Sequence, residues 1–109
     1  MATYFRNKVI TDVGTSPVQL LQTASNNRFT VVGLNIANTT TAEVQIDIML
    51  TDETSITAYY IKSLIIPPKF AVKAVNNGEK LIIAPDNELK IRSNLNASVD
   101  VIVSYVEIV

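Results

Sequence analysis

Apolar residues return at every second position along much of this chain, and no feature limits its fold more. In Glu43-Val44-Gln45-Ile46-Asp47-Ile48-Met49-Leu50, the residues Val44, Ile46, Ile48 and Leu50 fall on one side, while Glu43, Gln45 and Asp47 fall on the other. Successive side chains of a pleated strand point to opposite faces, so this spacing describes a half-buried strand. Glu88-Leu89-Lys90-Ile91-Arg92 alternates in the same way, and Val99, Val101, Val103 and Tyr105 line one face near the C-terminus. Val, Ile and Thr make up about a third of the 109 residues. Their branched side chains pack well on a sheet and lose rotamer freedom in a helix. Nothing of useful length repeats at helical period.

Further strands are expected over Tyr4 to Ile10, Val18 to Gln22, Phe29 to Ala37, Thr57 to Ile66, Phe70 to Val75 and Lys80 to Ile83. Turn-forming clusters separate them at Gly14-Thr15-Ser16-Pro17, Ser25-Asn26-Asn27, Asn38 to Thr41, Pro67-Pro68 and Pro85-Asp86-Asn87. Asn77-Gly78, lying between two apolar runs, predicts a hairpin, because both residues tolerate the positive φ of a type I′ turn. Thr39-Thr40-Thr41 reads as the polar tip of another hairpin. Eight or nine short strands at this spacing predict an all-β fold, an antiparallel β-sandwich of jelly-roll type. With no linker or low-complexity tract, residues 1–109 are expected to form a single domain. Val44, Ile46, Ile48, Leu89, Ile91, Val101 and Val103 are the expected core.

The chain holds no His, Cys or Trp. It therefore lacks the usual proton shuttle, thiol nucleophile and soft metal ligands. Its three glycines are far apart, which removes a phosphate-cradling loop. Lys62-Ser63 is a nucleophile and a base in name only, since strand neighbours face oppositely. Asp52-Glu53 brings two carboxylates where calcium wants roughly six to eight oxygens, and so reads as a solvated turn. No catalytic residue, metal or cofactor is expected, and the chain is not expected to be an enzyme. Nine basic and ten acidic residues leave a net charge of -1. The densest basic stretch, Lys62 to Arg92, is interrupted by Glu79, Asp86 and Glu88, so no nucleic-acid stripe emerges. No signal peptide is visible, and no apolar run approaches the roughly 20 residues of a membrane helix, so neither export nor a membrane partner is expected.

Low charge points instead to contacts between subunits. The charged fraction is 17%, against about 25% in ordinary soluble domains. In Thr57 to Ile66, simple alternation puts Tyr59, Ile61 and Ile65 on one face and Ala58, Tyr60, Leu64 and Ile66 on the other. A strand apolar on both faces needs a second cover. The C-terminal segment also turns apolar on its polar side at Val106 and Ile108. Tyr59, Ile61, Ile65, Val106 and Ile108 are accordingly the expected subunit interface. Tyr59-Tyr60 cannot form one flat sugar platform, because neighbours on a strand diverge; a carbohydrate-binding module stays open as an alternative of another class.

The order of elements in the C-terminal half is familiar. A strand ends in Leu64-Ile65-Ile66-Pro67-Pro68, and Asn77-Gly78-Glu79-Lys80-Leu81-Ile82-Ile83 follows. Next come a Pro85-Asp86 turn, the strand Leu89-Lys90-Ile91 and a closing Val99 to Ile108. Together with Phe29 to Ala37 and its Asn38-Thr39-Thr40 tip, this resembles small virion structural proteins of tailed phages, cyanophages among them, over about residues 28 to 108. The resemblance implies a β-sandwich without catalytic residues, made in the host cytoplasm and assembled on the virion. It implies a capsid decoration or cement subunit, or a neck, tail or fibre-attachment component. The implied partners are further copies of the chain, as in a trimer, and other virion proteins such as the major capsid or tail proteins.

Overall fold

Folding brings the two ends of the chain together as the arms of one long antiparallel hairpin, rolled over on itself. In the computed structural model, which describes residues 2–75 and 80–109, the elements are β1 (Thr3–Val13), β2 (Val18–Gln22), β3 (Arg28–Asn38), β4 (Val44–Thr51), β5 (Thr57–Ile66), β6 (Ala71–Val75), β7 (Leu81–Ile83), β8 (Glu88–Ser93) and β9 (Val99–Ile108). Pairing is nested: β4 with β5, β3 with β6 and β7, β2 with β8, and β1 with β9. Successive pairs alternate between two sheets, whose orders are β1-β9-β3-β6, with β7 also on β3, and β2-β8-β4-β5. Since β6 and β7 share one edge of β3, eight strand positions result, the count of a jelly roll.

Val44, Ile46, Ile48, Leu89, Ile91, Val101 and Val103 are all fully buried between the sheets. Leu20, Leu34, Ile36, Ile66 and Ile83 join them in one continuous cluster. Two of its members, Leu20 and Leu21, are adjacent in sequence. The β2–β8 register slips between Gln19 and Leu21, and this bulge lets both leucines turn inward.

One turn assignment needs correction. β3 lies in one sheet and β4 in the other, so Thr39-Thr40-Thr41 belongs to a crossover between layers and is not a hairpin tip. Buried Asn38 anchors that crossover. Its Nδ2 donates to the carbonyls of Ala42 (2.8 Å), Ile66 (3.1 Å) and Pro67 (3.1 Å), and its Oδ1 accepts from the Thr40 N–H at 2.9 Å. Asn77-Gly78 lies outside the described residues. The strands on either side of it, β6 and β7, both run antiparallel to β3 and therefore in the same direction, pairing with Leu34–Ala37 and Phe29–Val31 respectively. They are not the two arms of one hairpin.

Candidate assembly surfaces

The outer face of the β1-β9-β3-β6/β7 sheet is built of rows of side chains that the register places side by side. Phe5, Val106, Thr30 and Ile82 form one row, and Val9, Ile102, Asn35 and Lys73 form another. Between them runs a row of small polar groups, Asn7, Ser104 and Gly33. Phe5 is 85% exposed, Val9 61% and Ile82 53%, and Val32 and Ile102 are each nearly half exposed. Scattered apolar residues on a surface are ordinary, whereas a contiguous set on one face marks a contact site. Lys73 is the one charged side chain in these three rows among the described residues.

Beside Gly33 the face is hollow. Val32, Gly33, Asn35, Lys73, Ile102 and Ser104 line a groove of about 380 Å³. The β3 strand bulges between Val31 and Gly33, which throws Val32 outward with the face. Gly33 has no left-handed backbone, and a Cβ built on it would meet only Ser104 Cβ at 3.8 Å. Among the described residues, the packing thus leaves room for a side chain at Gly33.

The outer face of the second sheet is polar and closed on itself. Asp47 on β4 stands opposite Arg92 on β8, and its Oδ2 accepts from Arg92 Nε at 3.0 Å and from Lys62 Nζ at 3.4 Å. Its Oδ1 accepts the Ser63 N–H at 2.8 Å. Arg92 also donates to the Tyr59 hydroxyl at 3.1 Å, and the Lys62 ammonium sits 4.8 Å from the centre of the Tyr59 ring. Burial by itself would raise the Asp47 pKa, but the Ser63, Arg92 and Lys62 contacts outweigh it and hold the carboxyl below its usual range. The shallow pocket here, about 230 Å³ and lined by Thr15, Gln45 and Asn94 beside these groups, is thus edged by charges already paired with one another. At the far end of the molecule, hydrogen bonds from Arg6 (2.7 Å) and Asn27 (2.9 Å) hold the Glu107 carboxyl low in pKa. That cluster ties β1, β9 and the β2–β3 loop together.

The five residues expected at an interface do not form one patch. Val106 and Ile108 lie on the apolar outer face of the first sheet, whereas Tyr59 and Ile65 lie outward on the second. Ile61 is only half-buried but turns toward the core. Two register slips in β5, between Ile46 and Ile48 and between Ile48 and Met49 of its partner, turn Ile61 inward opposite Ile48, where it packs on the core with Tyr60 and Leu64. A one-residue slip reverses which face every later side chain takes, so strict alternation assigned Ile61 to the wrong side. The divergence of the two tyrosines follows: Tyr59 is exposed and Tyr60 packs inward, leaving no paired platform. Phe5, Val9, Val32, Ile82 and Ile102 were the residues missed. Their signal was present in Ile102, which interrupts the polar side of a strand otherwise marked by Asp100 and Ser104.

Asp52 organises its own turn. Its Oδ1 accepts the N–H groups of Thr54 (2.9 Å) and Ile56 (3.0 Å) and the Thr54 hydroxyl at 2.7 Å, an Asx turn at the apex of the roll. Among the described residues no three Asp, Glu, His or Cys side chains converge.

Nested pairing, two four-position sheets and a single inter-sheet core define an antiparallel jelly-roll sandwich. No family model matches the sequence, and no curated protein matches it. Two of the solved structures with a similar fold are the following. One is a chain of the T13 IBDV viral particle, with a TM-score of 0.60 at 9% identity over 97% of this chain. The other is a chain of the Bacillus endospore appendages, described as disulfide-linked pili, with a TM-score of 0.59 at 8% identity over 96% of this chain and 86% of the other. The present chain spans only 30% of the length of the viral-particle chain.

Proposed function

We propose that the chain is a non-enzymatic structural subunit of a tailed-phage virion, a decoration or cement protein that self-associates and binds the capsid. The observation that carries this reading is the apolar outer face of the β1-β9-β3-β6/β7 sheet, which no part of the described chain covers. Its fold likeness to a viral-particle chain supports the same reading, as does the self-contained charge network on the opposite face. The endospore-appendage likeness, which covers most of that chain, favours a second reading within the same class: a neck, tail or fibre-attachment part. The test is localisation. Purified virions of the source should contain the chain in many regular copies, visible in a density map on the capsid lattice or, on the second reading, at the neck or tail. Absence from purified particles, with the chain recovered only from the soluble fraction of infected cells, overturns both.

A further inference from the structure

Nothing among the described residues explains Gly33. Its backbone is open to any residue and a Cβ there has space among the described residues, yet glycine within a strand is destabilising relative to alanine. Strand glycines without a conformational reason mark places where another group approaches closely. On the same face, Phe5 is the most exposed large apolar side chain among the described residues. One face therefore carries both a protruding ring and an empty hollow. The groove of about 380 Å³ is ample for an aromatic ring, which fits a cavity of about 150 Å³.

From these features we infer that the outer face of the β1-β9-β3-β6/β7 sheet is a homotypic interface, in which Phe5 of one copy seats in the Gly33 groove of a second. This deepens the reading of the chain as an assembling structural subunit and rests on it. Phe5 and Gly33 stand two strand positions and one row apart, about 10 Å across the strands and about 7 Å along them. A two-fold axis lying in the interface and crossing β9 between Ser104 and Val106 exchanges the two positions, so both rings and both grooves are filled at once. That mutual fit is what a self-complementary two-fold contact requires. The size also suits it. Four strand positions over the rows from Thr3 to Asp100 span on the order of 500 Å² of flat sheet, and side-chain relief brings this near the ~800 Å² per partner of a standard interface. The unit that closes is a pair, in place of the trimer suggested by resemblance.

The chain has no cysteine, which permits a direct test. Phe5→Cys and Gly33→Cys proteins are mixed and mildly oxidised. A disulfide-linked dimer in the mixture, with little in either protein alone, is the expected result. In light scattering and sedimentation, Phe5→Ser and Gly33→Val should each raise the dimer dissociation constant at least tenfold with an unchanged circular dichroism spectrum, and the double variant should add little more. Unchanged dissociation constants, cross-linking within one variant as readily as in the mixture, or a wild type that is monomeric at every concentration overturns the inference. Cross-linking failure with the chain still present in purified virions overturns this interface alone. Absence from virions with the cross-link intact overturns the virion reading and leaves the pairing standing.

Discussion

Ile61 and Ile65 show how much one backbone irregularity decides for a single side chain. Both are isoleucines on the same strand at odd-numbered positions, yet Ile61 packs against the core while Ile65 is half exposed. Ile61→Asp should therefore lower the melting temperature clearly, because a carboxylate is costly where the side chain packs on the core, while Ile65→Asp should leave it nearly unchanged. A thermal melt of the two variants side by side decides this, and equal melting temperatures would contradict the inward assignment of Ile61. Asp47 makes a second prediction, in pH. Its folded pKa lies below the unfolded value of about 3.9. The stability it contributes is complete above that value and is lost as pH falls from about 4 through the lower folded pKa. In Asp47→Asn this part of the acid slope should be missing, so chemical denaturation of the two proteins from pH 6 to 2 should converge toward the acid end.

At the scale of elements, bulges set the faces. β5 carries two within ten residues, and Ser63, at φ 56° beside one of them, adopts a left-handed backbone. Its N–H is aimed by that geometry at Asp47. Ser63→Gly should match or slightly exceed wild-type stability. Ser63→Val should lose about 1–2 kcal/mol in urea unfolding, since a β-branched residue is strained at positive φ. Equal stabilities would remove the bulge from the account of β5. Edge strands invite unwanted pairing with other chains, and such bulges blunt them. β1 is different: from Thr3 to Ile10 it runs in unbroken register with β9, and the shift comes only between Ile10 and Val13.

At the scale of the whole molecule, the nested roll governs folding. Among the described strands, only β4 and β5 are neighbours both in sequence and in a sheet, while β1 must find β9 across nearly the entire chain. Such non-local pairing places refolding in the millisecond to second range. The apex turn at Asp52 joins this one sequence-adjacent pair, so the β4–β5 hairpin is the cheapest contact to form first. Asp52→Ala should accordingly slow refolding more than it speeds unfolding. Stopped-flow chevrons would show this, and a change confined to the unfolding limb would place the apex outside the folding nucleus.

Period-two alternation by itself determined the class of fold, the positions of the nine strands to within a few residues, and the core, because burial of one face of a strand is written in every second residue. Val44, Ile46, Ile48, Leu89, Ile91, Val101 and Val103 could be read directly. Which strands pair, and in which sheet, depends on contacts between residues far apart in the chain, so Thr39 to Thr41 passed for a hairpin tip and the runs flanking Asn77-Gly78 for hairpin arms. Faces past a bulge were equally hidden, since one extra residue inverts the alternation without altering composition, as at Ile61. Only the tertiary structure lined up Phe5, Val106 and Ile82 across four strands and opened the hollow at Gly33, because a surface patch is the product of registers among strands that the sequence keeps apart.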